Sequence, residues 1–179
     1  MRPTACIYCG KDADTRDHVP PKCFLRTPYP ANLITVPSCR TCNNNASKDE
    51  EYCRVVVIGL LCHTKEADLL FDGPMARSMD RNIDIETLMF GALEVVDTRV
   101  LLDVNYARIY RIAEKIARGL EFSTKGAMFP VSQQFEVDFA EVTSPSDVVK
   151  YAPDFTYGCL EGCWEFTFFD SLRFLVKPK

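Results

Sequence analysis

Residues 39–43 read CRTCN, and a matching knuckle, CIYCG, stands at residues 6–10. Twenty-nine residues separate Cys9 from Cys39. A C-x-x-C step brings two thiolates close enough to share one ion. Two such steps complete a tetrahedral shell with Zn–S bonds of about 2.3 Å. Cys6, Cys9, Cys39 and Cys42 are therefore expected to bind one structural zinc per chain. Gly10 suits the tight turn that closes the first knuckle. A shell of four thiolates is closed, so this ion would hold the fold and do no chemistry.

Around the knuckles, residues 1–45 are dense in Cys, Pro and Asn, which predicts loops and short strands in need of a staple. From about Ser47 the character changes. KDEEYCRVVVIGLLCH, residues 48–63, has acidic residues at its start and a broad apolar run behind, which reads as a buried helix. Cys53 and Cys62 fall in that run and read as small core residues; His63 reads as a cap or core group. Residues 64–97 predict one or two short helices broken at Gly73-Pro74. NYARIYRIAEKIARGLEF, residues 105–122, is a clear amphipathic helix. Ile109, Ile112, Ala113, Ile116, Ala117 and Leu120 share its apolar face. Arg108, Arg111, Lys115 and Arg118 share another, a candidate track for nucleic acid or a solvated stripe. Gly119 is the expected stop.

Beyond Gly126 the alternation of FEVDFAEV, residues 135–142, predicts a strand, and Pro145 and Pro153 bracket a loop. The tail from Phe155 to Pro178 reads as three strands joined at LEG and DS. Its aromatic residues, with the single Trp164, read as core or as a homodimer surface. The fold class is α+β: a zinc-stapled N-terminal module over residues 1–62, then helices and a small antiparallel sheet over residues 63–179.

Composition fits a globular chain of 179 residues, with 47% hydrophobic and 26% charged residues. No apolar run reaches the length of a membrane-spanning helix. The opening MRPTACIYCGKD lacks the apolar stretch of a secretion signal, so a cytoplasmic location and no membrane partner are expected. Nine cysteines in that setting favour metal binding over disulfides. Cys159 and Cys163 flank the LEG turn and read as reduced thiols, with pairing or metal binding as the alternative. The net charge of −4 is uneven: residues 1–54 hold eight Lys/Arg and six Asp/Glu, net +2, while the rest is acidic. An anionic substrate would meet the N-terminal part first.

Between the knuckles lie Asp17-His18 and, fourteen residues after the histidine, Asn32; Asn43 follows the last cysteine. A carboxylate and a carboxamide are hard ligands suited to Mg²⁺ or Mn²⁺. A neutral imidazole beside such an ion can take a proton from water. The zinc staple would bring these parts together. A bend before Pro20-Pro21 would let adjacent strand residues flank one site.

The ordered series C-x-x-C, D-H-x-x-P, N-L, C-x-x-C-N over residues 4–55 resembles the HNH (ββα-metal) endonuclease superfamily in its zinc-stapled form, to which the phage recombination endonucleases are related. The resemblance implies a metal-dependent endonuclease acting on nucleic acid, with DNA favoured over RNA. It assigns His18 as general base, Asp17 and Asn43 as ligands of the catalytic ion, and Asn32 as a brace for the loop and the histidine. Asn44 and Asn45 leave open which asparagine reaches the ion. Lys22, Arg40 and Lys48, with Arg26 nearby, are candidate phosphate contacts. The rival reading is a non-catalytic four-cysteine knuckle module that binds nucleic acid or protein.

Overall fold

Thr15–His18 and Thr35–Ser38 form strands β1 and β2, an antiparallel pair in which Asp17 faces Val36 and His18 faces Thr35. The computed structural model describes residues 5–62, 64–70, 93–96, 99–142, 149–152 and 154–179. Directly after β2, α1 spans Arg40–Cys53. It starts at the second knuckle, not at about Ser47 as the apolar pattern suggested. Asn43, Asn44 and Asn45 are weak helix formers, but Cys39 overrides them as the N-cap: its Sγ accepts a hydrogen bond from the Cys42 N–H at 3.4 Å. The chain continues in a wider, π-helical coil over Arg54–Leu61, with Val55–Ile58 buried. Cys53 and Cys62 are core residues as expected.

Helix α2, Lys65–Leu70, lies where short helices were expected. Strands β3, Leu93–Val96, and β4, Arg99–Leu102, do not: they pair antiparallel and replace the helical end of that stretch. Val95, Val96 and Val100 favour a strand here, over the short helix expected up to residue 97. His63 and the Gly73-Pro74 break lie outside the described residues.

Helix α3 spans Tyr106–Lys125 and buries all six residues of its expected apolar face. It runs past Gly119 and ends at Gly126, whose φ of 67° supplies the left-handed turn. Gly119 has another use. A Cβ there would stand 2.4 Å from Val19 Cγ2, so its absence lets α3 lie against the chain just after β1.

Strands β5 (Phe135–Glu141), β6 (Val149–Ala152), β7 (Phe155–Leu160), β8 (Cys163–Phe168) and β9 (Leu172–Pro178) form one antiparallel sheet in the order β5-β9-β8-β7-β6. Strand β6 occupies what read as the loop between the two prolines, which are themselves outside the described residues. Phe155, Trp164, Phe166, Phe168, Phe174 and Val176 are buried. They join Ile7, Val19, Phe24, Val36 and Tyr52 in a single apolar cluster that spans the N-terminal segment, α3 and the sheet. Polar ties cross the same junction. The Arg26 N–H and Nε donate to Asp154 at 2.9 and 2.7 Å, and Tyr151 Oη accepts from the Ile34 N–H at 2.6 Å. Among the described residues, no helix is long and apolar enough to cross a membrane.

Candidate functional site

The four sulfurs of Cys6, Cys9, Cys39 and Cys42 lie within 4.8 Å of one another, with Cys9 and Cys39 Sγ at 3.7 Å. Bonds of about 2.3 Å to a central zinc would set the tetrahedral edge at about 3.8 Å, so the cluster can hold a metal ion such as zinc. The backbone builds it. Gly10 donates to the Cys6 carbonyl at 2.9 Å with φ at 74°, and Ile7 donates to Pro37 O at 3.1 Å, seating the first knuckle beside β2. Burial raises the Cys6 thiol, but backbone hydrogen bonds from Cys39, Tyr8 and Cys9 bring it down to about 7. Burial pushes the Cys42 thiol up, and the sulfurs of Cys9 and Cys39 add to the effect. Four crowded thiols resist ionising together; a dication would take all four as thiolates.

The expected bend does not fall between Asp17 and His18: both lie in the regular register of β1, and alternation sends their side chains to opposite faces. Asp17 turns inward and is 4% exposed. Its Oδ1 accepts the His18 N–H at 2.9 Å. Its Oδ2 lies 2.7 Å from Lys115 Nζ, an ion pair off the line of a directed hydrogen bond. The same ammonium, 8% exposed, contacts Glu50 Oε1 of α1. Tyr8 completes the group. Lys115 Nζ is 5.8 Å from its ring centroid, and its hydroxyl is buried without a hydrogen-bond partner. Burial, followed by the charge on Asp17, holds the Tyr8 phenol well above its usual range. Burial lowers the Lys115 ammonium, but Asp17 and Glu50 more than offset this. Burial also pushes the Glu50 carboxyl up, against the pull of Lys115.

This quartet of buried Asp17 and Lys115 with half-buried Tyr8 and Glu50 escaped the sequence. Lys115 read as one of four exposed cations; it and Arg118 are buried, Arg108 is half-buried, and Arg111 keeps its side chain 56% exposed. Arg108 and Arg111 each donate from Nε to Asp49 at 2.7 Å, clamping α3 to α1. Arg118 donates to the carbonyls of Pro130 and Gln133 at 3.0 and 2.9 Å. These contacts tie the three arginines into the fold. The available signal was Lys115's position between Ile112 and Ile116, at the edge of the apolar face. A cleft of about 420 Å³ separates α1 from α3, lined by Tyr8, Asn45, Asp49, Arg111, Glu114 and Lys115 among others.

His18 is half-buried. Its pKa is lowered from 6.5, first by burial and then by the charge on Lys22, so the imidazole is neutral at pH 7. Lys22 is exposed and opens the 3-10 turn Lys22–Phe24, with Nζ 5.3 Å from the Tyr29 ring centroid. Asn43 approaches β1: its Nδ2 is 3.5 Å from Arg16 O. Asn44 and Asn45 are exposed. Asn32 is joined to the sheet through its backbone carbonyl, which accepts Tyr151 Oη at 3.1 Å; its carboxamide makes no hydrogen bond among the described residues. The brace comes from β6, too remote in sequence for local reading. Arg40 points to solvent with its side chain 74% exposed, and its N–H donates to Asp14 at 2.7 Å. Lys48 is exposed and offers its carbonyl to Arg108 at 2.7 Å.

Cys159 pairs with Trp164, and Leu160 with Cys163. Paired residues share a face and neighbours alternate, so the two thiols stand on opposite faces of the hairpin. The structure therefore rules out the pairing alternative. Cys159 instead has Lys125 Nζ at 3.6 Å. The chain matches no protein-family model, no curated protein and no solved structure.

Proposed function

We propose that the chain is a zinc-stapled nuclease of the HNH type, a metal-dependent phosphodiesterase acting on nucleic acid, with DNA favoured over RNA. One observation carries the reading. A two-stranded hairpin ends its first strand in Asp17-His18, and the helix that springs from the second knuckle brings Asn43 to within 3.5 Å of that strand. His18 is half-buried and neutral at pH 7, the state a general base needs.

In this reading His18 takes a proton from water. The hydroxide oxygen bonds to phosphorus as the bond to the leaving oxygen breaks, and that oxygen takes a proton from solvent. The donor set suits a hard divalent ion once Lys115 Nζ, 2.7 Å from Asp17 Oδ2, gives way: Asp17 supplies a carboxylate and Asn43 a carboxamide close to β1. Held by Asp17 and Asn43, Mg²⁺ or Mn²⁺ would stabilise the charge that builds on the phosphate and the leaving oxygen. Lys22 and Lys48 are exposed, as is Arg40 beside a 3.9 Å ion pair with Asp14, and in this reading they hold phosphates on either side.

Zinc-loaded protein incubated with plasmid, single-stranded DNA and RNA in Mg²⁺ or Mn²⁺ tests the reading. The expected result is cleavage that drops at least about 100-fold in His18→Ala, with zinc content and circular dichroism unchanged. Equal cleavage by the variant would falsify the assignment. Retained binding with no cleavage of any substrate would favour the non-catalytic knuckle module.

A further inference from the structure

The cation beside Asp17 comes from outside the hairpin and its helix. Lys115 belongs to α3, about a hundred residues along the chain, yet its Nζ stands 2.7 Å from Asp17 Oδ2 and also touches Glu50 Oε1. We propose that Lys115 is a built-in competitor for the divalent ion: Nζ and the ion are alternative partners of Asp17, and binding the ion displaces the lysine. The identity of the ion rests on the nuclease reading; the competition rests on the quartet around Lys115.

Three observations support it. The first is charge. Asp17 and Glu50 bring two carboxylates and Lys115 brings one ammonium, so the group lacks one positive charge in a setting where Asp17 is 4% and Lys115 8% exposed. A divalent ion against the same carboxylates would remove that shortfall, which burial makes costly. The second is geometry. Lys115 Nζ stands 2.7 Å from Asp17 Oδ2, the space a cation bound to that oxygen would have to enter, so lysine and ion compete for one carboxylate oxygen. The third is room to move. Lys115 lines the cleft of about 420 Å³ between α1 and α3, together with Asp49 and Glu114. Glu50 on α1 already touches the ammonium, so Lys115 can stay paired with it while its flexible four-carbon stem swings into the cleft.

Lys115 is thus a positioning residue. It keeps Asp17 compensated when the ion is absent and weakens the apparent affinity when it is present, as any competing state does. The accessory helix thereby sets the ion concentration at which the hairpin becomes charged with metal.

Mn²⁺ titration of the zinc-loaded full chain without nucleic acid, followed by the electron paramagnetic resonance of free Mn²⁺, tests the competition. Lys115→Met is expected to bind Mn²⁺ about tenfold more tightly than the native chain, and Asp17→Asn to lose the site. A Lys115→Met variant that folds and binds no more tightly overturns the proposal. Should that variant fail to fold, the native chain supplies the answer through acetylation of Lys115 read by mass spectrometry. Several-fold faster labelling with saturating Mg²⁺ supports displacement, and unchanged labelling overturns it. Because neither readout involves cleavage, a chain that exchanges lysine for ion yet cuts nothing refutes the nuclease reading alone.

Discussion

The hairpin with α1 and the five-stranded sheet are held by different physics. The first has strands of four residues each, too short to be stable alone, and depends on four converging sulfurs and a buried ionic group. The second has strands of up to seven residues and a stack of rings, with Phe166 and Phe174 at 5.3 Å and Phe155 and Phe168 at 5.2 Å. Helix α3 serves both. Its isoleucine face packs into the shared apolar core, while Lys115 on its edge compensates Asp17. One region adds a cysteine cluster and charged contacts to the shared apolar core, while the other rests on apolar area. The candidate chemistry sits wholly in the first.

The largest expected effect follows from removing the ion. Structural zinc contributes about 10–16 kcal/mol in small zinc modules, comparable to the total stability of an ordinary domain. Chelation, or Cys39→Ser, should release hydrogen-exchange protection in β1, β2 and α1 while β7, β8 and β9 keep theirs. Uniform loss along the chain would show the two regions to be one cooperative unit, and no loss would show that the hairpin stands without a metal. Phe166→Ala is the complement. Phe166 is fully buried at the centre of the sheet, so the cavity should cost about 3–5 kcal/mol. The variant should lower Tm while still holding its metal, as read by metal analysis after gel filtration.

The same division explains what the sequence disclosed. Spacing announced the cysteine cluster, because C-x-x-C pairs carry their geometry with them. Alternation announced β5, β7, β8 and β9, and the 3.6-residue period announced α3. What stayed hidden depended on partners distant in sequence. The start of α1 at Arg40 is set by a sulfur cap that overrides three asparagines. Strand β6 is an edge strand of four residues recognised only by its pairing with β7. Lys115 is distinguished from Arg111 only by the carboxylates that face it, one on β1 and one on α1. Local pattern names an amphipathic helix; it does not say which of its cations turns inward.

The junction itself can be tested at Gly119. Replacing a helical glycine by alanine ordinarily stabilises by up to about 1 kcal/mol. Here the new Cβ would stand 2.4 Å from Val19 Cγ2 and 3.0 Å from Cγ1, and a β-branched neighbour has few ways to yield. Overpacking of this kind costs about 1–3 kcal/mol. Gly119→Ala should therefore lower stability by about 1 kcal/mol net in denaturant melts. An increase would mean that Val19, and with it the segment behind His18, moves aside easily.

The smallest effect concerns His18 and Lys22. Burial, then the charge on Lys22, lowers the histidine below its ordinary 6.5. The folded value therefore lies under the unfolded one. As pH drops through about 6.5 the unfolded chain takes the proton first, and this contribution to stability is lost. Cleavage that needs a neutral imidazole should accordingly hold to below pH 6.5 before it fails. Lys22→Ala removes a nearby positive charge, which makes the imidazolium easier to form and moves the acid limb upward. Burial remains, so the shift should be partial, and added salt should imitate it in the native chain because Lys22 is exposed. The nuclear magnetic resonance titration of the His18 ring reads the same quantity without any substrate. An unmoved titration in Lys22→Ala would mean that burial alone sets the base, leaving Lys22 to phosphate.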